Sequence, residues 1–265
     1  EELDQAGLMQ FPMVMGGVVP VVRIDGVDAG QLKLDGKTMG AIYAGKITNW
    51  NDPAIAALNE GKTLPDQGIT PIYRSDSSGT TDNFQLYLEA AAPEAWTKGS
   101  GSEFQGGAGE GAQKSSGVVQ AVQATPGSIG YVEKGFADQA GLPAAQIDNG
   151  SGAVELNNES AGKAIDAATF AGEGNNLVLD LQALYGTTEE GAYPLVLATY
   201  SLVCSNGYPA ETAEAVKSVC ESMSSSSAEA IGAVNVYVDA FNTNAGDVGP
   251  FLGHRFSQDA QRDAA

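Results

Sequence analysis

Apolar residues along this chain switch between two spacings, and the switches mark out its elements. Runs rich in β-branched and aromatic residues at 17–22, 69–74, 128–132, 177–179 and 194–204 predict strands. Pro71 places the second of these at a sheet edge or a strand start. Helical spacing near 37–43, 53–58, 82–92, 117–124, 161–170 and 209–222 predicts helices between them. Over 82–91 it sets Phe84, Tyr87, Leu88 and Ala91 on one face. Strands alternating with helices predict an α/β fold, in which ligands gather at the carboxyl ends of strands. Glycine-rich 99–111 has few side chains to pack. It reads equally as a mobile loop at a cleft mouth or as a plain surface loop.

One strand-to-helix junction carries chemistry. Between the strand ending at Arg74 and the helix beginning near Asp82 stands Arg74-Ser75-Asp76-Ser77-Ser78-Gly79-Thr80-Thr81. The first N–H groups of a helix lack intrahelical partners and the helix dipole favours negative charge there. Hydroxyls of Ser78, Thr80 and Thr81 add donors, and Arg74 adds a planar fork suited to a tetrahedral oxyanion. Capping a helix needs one hydroxyl and no arginine, so the motif reads as an anion cradle.

Charge sharpens this. Thirteen basic against 33 acidic residues give a net charge of −20. No basic stripe exists to neutralise a phosphate backbone, which excludes a nucleic-acid binder. The field of the chain repels anions, so an anion has to be captured by short-range donors. With 43% apolar and 17% charged residues the chain is an ordered globular protein. No apolar run approaches the roughly 18 residues of a membrane-spanning helix.

Single residues are read against their ordinary roles. Trp50 and Trp96 are expected in the core and His254, the only histidine, at the surface. The acidic stretches at 155–160 and 187–190 read as solvated faces, and no cluster has the spacing of a metal site. Cys204 ends the last predicted strand and Cys220 lies on the apolar face of the next helix, both pointing into one packed layer. A Cys204–Cys220 disulfide and two buried free thiols fit the spacing equally well.

The motif at 74–81 resembles the hallmark Arg-Ser-Asp-Gly-Ser-Gly-Thr-Thr of the extracytoplasmic phosphate-binding proteins of phosphate ABC transporters, with Ser77 in place of one glycine. Residues 10–20 (QFPMVMGGVVP), 42–55 (IYAGKITNWNDPAI), 106–111 (GGAGEG) and 126–133 (PGSIGYVE) are similar to further blocks of that family. The resemblance implies a two-lobed periplasmic-binding-protein-like α/β fold. Its second lobe (21–190) is near complete, and its first is represented by 1–20 and 191–265. It implies phosphate ligands at Arg74, Ser78, Gly79 and Thr80, with Asp76 holding Arg74 by an ion pair. No cofactor, metal or catalytic residue is implied. The implied partners are inorganic phosphate and an ABC permease, outside the cytoplasm, with tethering through an N-terminal lipid anchor that the sequence does not contain. The family's remaining ligands, a proton-accepting aspartate among them, lie in a segment that precedes the part matched by Glu1. Two other readings stand beside this one. A degenerate homologue could bind a protein partner without tight phosphate binding. A phosphatase using Ser77 or Ser78 would need a base or metal that the sequence does not supply nearby.

Overall fold

The computed structural model of the protein describes residues 2–204, 207–209 and 212. Its helices are α1 (Glu2–Gln5), α2 (Gly36–Tyr43), α3 (Pro53–Leu58), α4 (Gly79–Ala91), α5 (Lys114–Ala124), α6 (Lys134–Ala140), α7 (Asn158–Asp166) and α8 (Leu181–Tyr185). Its strands are β1 (Leu8–Arg23), β2 (Lys33–Asp35), β3 (Thr70–Arg74), β4 (Glu110–Ala112), β5 (Ser128–Glu133), β6 (Gln146–Asp148), β7 (Ala153–Val154) and β8 (Val196–Cys204).

Helix starts follow local capping chemistry. Asp35 and Thr38 form a reciprocal capping box ahead of α2, and Asp52 with Pro53 at the first position opens α3. A second capping box, Asn157 with Ser160, sets α7 at Asn158–Asp166. The expected helix at 161–170 is therefore displaced toward the N-terminus, because the cap outweighs the apolar spacing near Phe170. The expected strand at 177–179 is not formed either. Leu179 pairs with Phe170 and Asn176 with Gln10 only as isolated bridges. Residues 209–222, expected as a helix, and His254 lie outside the described residues, apart from 209 and 212.

Contacts divide the chain into two compact units. The larger comprises Gly16–Ala167 and Leu181–Leu197. The other comprises the described residues within Glu1–Met15, Ala168–Asp180 and Ala198–Ala265. Residues 168–180, expected with the long central block, group instead with the chain start. Main-chain bonds tie them there: Gln10 N–H donates to Asn175 O (2.8 Å) and Leu177 N–H to Gln10 O (2.8 Å).

One sheet has the order β4-β3-β5-β1-β8, and its strands β3, β4, β5 and the part of β1 from Gly16 onward lie in the larger unit. β3 runs parallel to β4 and β5, and β5 runs antiparallel to β1. Adjacent residues of β5 face opposite sides of this sheet. At Gly130 a Cβ would stand 2.8 Å from Val118 and Val122 of α5, so only glycine admits that helix so close. At Tyr131 the ring stacks on Phe84 of α4 at 4.3 Å. Helices thus cover both faces, and Val18, Val19, Val21, Val22, Ile72, Ile129 and Val132 are all buried. A second sheet, β2-β6-β7, pairs β2 parallel to β6 and β6 antiparallel to β7.

Both tryptophans are core residues, Trp50 fully buried and Trp96 nearly so. Trp50 Nε1–H donates to Gly127 O (2.9 Å), a carbonyl that also accepts from Thr70 N–H (3.1 Å). Gly127 sits at φ +81°, where a Cβ would lie 2.4 Å from Gly68 O, so this knot requires glycine.

The glycine-rich loop is pinned rather than loose. Buried Gln85 of α4 donates to Gly101 O (2.8 Å) and Glu103 O (3.1 Å), and accepts from Gln105 N–H (2.7 Å). Phe104 stacks on Tyr73 at 4.2 Å.

Cys204 corrects one expectation. It is exposed at the end of β8, near exposed Leu202, and carries no disulfide among the described residues. The burial along β8 falls away after Val196, so the expected inward orientation is not met. Cys220 lies outside the described residues.

Candidate functional site

The motif at 74–81 occupies the carboxyl end of β3 and the first turn of α4. Ser78 is the N-cap of α4. Its hydroxyl oxygen accepts from Thr80 N–H (3.1 Å) and Thr81 N–H (3.3 Å), which leaves the hydroxyl proton to donate elsewhere. Its own N–H donates to Ser102 O (2.9 Å), fixing the turn against the glycine-rich loop. The Gly79 N–H bonds no described group, and a Cβ at Gly79 would meet open space. A backbone donor at a helix start is therefore presented without a side chain in front of it. The hydroxyl of Thr81 shares a hydrogen bond with Tyr131 (2.8 Å), and Tyr131 also accepts from Arg74 N–H (3.2 Å).

Arg74 is clamped from two sides. Its Nε and Nη2 donate to the two oxygens of Asp76 (2.8 and 2.7 Å), and its Nη1 donates to Ser115 Oγ (3.1 Å). Three of the five guanidinium N–H groups are used. Two remain for a ligand. The expected Arg74–Asp76 pair is thus formed in bidentate geometry, the arrangement that fixes a guanidinium plane.

Two further groups complete the cluster. Lys114 takes a left-handed conformation (φ 59°) that aims its N–H at Asp76 Oδ1 (2.9 Å). That conformation costs an L residue about 1–2 kcal/mol and so marks a constrained start for α5. Glu133, at the end of β5, accepts from the Ser115 hydroxyl (2.6 Å) and, through a short contact, from the Thr80 hydroxyl. One carboxylate thereby links the first turns of α4 and α5. The sequence motif gave no sign of Ser115 or Glu133. The signal available was Glu133 closing the 126–133 block and Ser115 sitting at a helix start.

Removing that link has a calculable effect. Hydrogen bonds to a charged partner are worth about 1.5–3 kcal/mol each. Glu133→Ala should therefore lower unfolding free energy by about 2–3 kcal/mol in urea titrations, allowing for partial rehydration of the two hydroxyls. Glu133→Gln keeps an acceptor and should recover at least half of that. Equal losses in both variants would show that the carboxylate oxygens are not what holds the two turns.

The electrostatics follow from the same contacts. The Arg74 hydrogen bonds, then the Lys114 N–H, hold the Asp76 carboxyl well below the usual carboxylate range. Asp76 in turn raises the Arg74 guanidinium further. Burial raises the Tyr131 phenol, which stays neutral at physiological pH. A carboxyl whose folded-state pKa is depressed binds fewer protons folded than unfolded. Its stabilisation is complete above the unfolded value of about 4 and is lost as pH falls toward the folded value. Urea midpoints should accordingly fall between about pH 5 and pH 2.5, and fall less in Asp76→Asn. Parallel pH profiles for the two proteins would refute this coupling.

Among the described residues no group of three or more His, Cys, Asp or Glu side chains could hold a metal ion. No described helix is long and apolar enough to cross a membrane.

Comparisons place the chain in a family. Residues 1–221 match the model described as PBP superfamily domain. Residues 205–254, largely outside the described ones, match a model described as Rv2240c four-helix bundle domain. Phosphate-binding protein PstS 3 of Mycobacterium tuberculosis is 45% identical over 214 residues, which is 80% of this chain and 57% of that protein. Phosphate-binding protein PstS 2 of the same organism is 46% identical over 209 residues, 78% of this chain and 56% of that protein. The chain thus spans little more than half the length of these relatives. The crystal structure of an ABC-type phosphate transport receptor from Vibrio cholerae superposes with a TM-score of 0.54 at 17% identity, over 86% of this chain and 74% of that one. That likeness concerns the fold. With a family model matched from residue 1 to 221 and a mixed α/β fold shared with such receptors, the chain belongs to the PBP superfamily.

Proposed function

We propose that this chain forms part of an extracytoplasmic receptor that binds inorganic phosphate and delivers it to an ABC transporter permease. The observation that carries this reading is the pairing of two uncommitted Arg74 N–H groups with the open Gly79 N–H at the start of α4. Arg74, Ser78, Gly79 and Thr80 are the proposed ligands. Asp76 fixes the plane of the guanidinium, and because the pair is close to neutral overall, the anion is held by the directed N–H groups that remain rather than by net charge. The names of the similar proteins support phosphate as the oxyanion, and the description of the Vibrio cholerae structure as an ABC-type phosphate transport receptor supports the permease as partner. Placement outside the cytoplasm, with a lipid anchor as tether, belongs to the same proposal.

Thr80 has a particular part in it. Its hydroxyl donates to Glu133, so an arriving phosphate oxygen competes with that carboxylate for the same proton. Calorimetric titration of inorganic phosphate into this chain, and into the chain preceded by the N-terminal segment of the Mycobacterium tuberculosis relative, tests the reading. Binding by the extended chain, and weaker or undetectable binding by the short one, is expected. No binding by the extended, folded chain would overturn it.

A further inference from the structure

The strand ends of the small sheet carry a feature that phosphate binding does not use. In the parallel pair β2 and β6, Asp35 lies directly opposite Asp148, each the last residue of its strand. Like charges facing each other across a sheet are destabilising. One oxygen of each is engaged. Asp35 Oδ1 accepts from the Thr38 N–H and hydroxyl (both 2.7 Å), and Asp148 Oδ1 accepts from Gly150 N–H (2.8 Å) and Gly152 N–H (3.3 Å). The Oδ2 of each carboxylate bonds no described group.

Tyr87 points at the same place. Its side chain is 1% exposed, yet its hydroxyl bonds no described group. That hydroxyl stands beside the N-terminal turn of α2, where a Cβ on Gly36 would come within 3.3 Å of it. Burial first, and then the negative charges of Asp35 and Asp148, push its phenol well above the ordinary range. Asp35, Asp148 and Tyr87 line one cavity of about 290 Å³, together with Lys37, Asn149 and Thr187. Lys37 forms no ion pair with either aspartate.

We propose that this cavity binds a small organic cation, an alkylammonium or guanidinium group, between Asp35 and Asp148. Two carboxylate oxygens free to accept, beside a neutral phenol that can both donate to a carboxylate and accept from a ligand, call for a ligand that is positively charged and supplies N–H donors. The Tyr87 and Tyr185 rings, edge to face at 6.4 Å, wall the cavity with the aromatic surface that such cations favour. A bare divalent ion is disfavoured. It needs six or more oxygen ligands, and the described residues supply no group of three or more acidic, His or Cys ligands. The volume corresponds to roughly ten waters at about 30 Å³ each, the scale of an organic side chain rather than of an ion.

Amide NMR titrations of this chain with n-butylammonium chloride and with methylguanidinium chloride at low ionic strength test the site. Saturable shifts are expected at Gly150, Gly152 and Thr188, with affinity lowered about tenfold or more in Asp148→Asn and in Asp35→Asn. Each of these asparagines retains the acceptor that the local turn uses. Tyr87→Phe removes an oxygen that bonds no described group, so its fold is retained and a several-fold loss of affinity is expected. Should an aspartate variant fail to fold, Tyr87→Phe alone carries the test. Shifts reproduced equally by sodium chloride, or seen with magnesium chloride and not with the organic cations, would overturn the proposal. So would wild-type affinity in the folded variants.

Discussion

Arg74→Ala is expected to weaken phosphate binding by about tenfold at least, since a charged, hydrogen-bonded contact contributes about 1.5–3 kcal/mol and 1.4 kcal/mol is tenfold. The loss should exceed the value of the missing bonds. Without the guanidinium, Asp76 loses both of its bonds to Arg74 and faces the anion as an unneutralised carboxylate. Arg74→Ala combined with Asp76→Asn should therefore bind better than Arg74→Ala alone. Arg74→Lys should fall between, because a point charge cannot hold Asp76 with one edge and the ligand with the other. Calorimetric titration of the chain extended by the relative's N-terminal segment measures all four proteins. Unchanged affinity in Arg74→Ala would place the anion elsewhere.

Trp50→Ala carries the largest expected effect on stability. The indole is fully buried, and replacing a buried tryptophan by alanine costs about 3–5 kcal/mol. Against a total stability of about 5–15 kcal/mol, that is a large share. Gly127 O would keep the Thr70 N–H (3.1 Å) as its one partner, so Trp50→Phe should recover much of the loss through volume alone. Urea unfolding followed by circular dichroism reads both variants. A loss below about 1 kcal/mol for Trp50→Ala would show that the site collapses around the deletion, as some cores do. Because Trp50 is not in the anion cluster, the variant's phosphate affinity should match the parent's wherever it remains folded.

Much of this was legible in the sequence. The strand at 69–74 was legible from its β-branched and aromatic residues and the helix after it from apolar spacing, and the hydroxyls between them marked the junction. The Arg74–Asp76 pair was legible only through the resemblance of the motif to a known family, which implied it. Glu133 and Ser115 were not, since they join Thr80 and Arg74 across 53 and 41 residues of sequence. Nothing in local composition encodes such a distance. β2, β4 and β6 escaped for another reason. Each is three residues long, too short to show a period, and Glu110-Gly111-Ala112 contains no strand-favouring residue at all. Helix α7 was misplaced because apolar spacing around 161–170 was weighed above the capping pair Asn157 and Ser160. The inward orientation of Cys204 rested on adjacency of elements, and β8 exposes that end.

Gln85 grips the loop after α4 by main-chain atoms only, at Gly101, Glu103 and Gln105. A clasp of that kind specifies where the backbone runs and is indifferent to which side chains it carries. The exposed positions of the loop can therefore drift in sequence, or accept an attached reporter group, while the turn that meets Ser78 keeps its place.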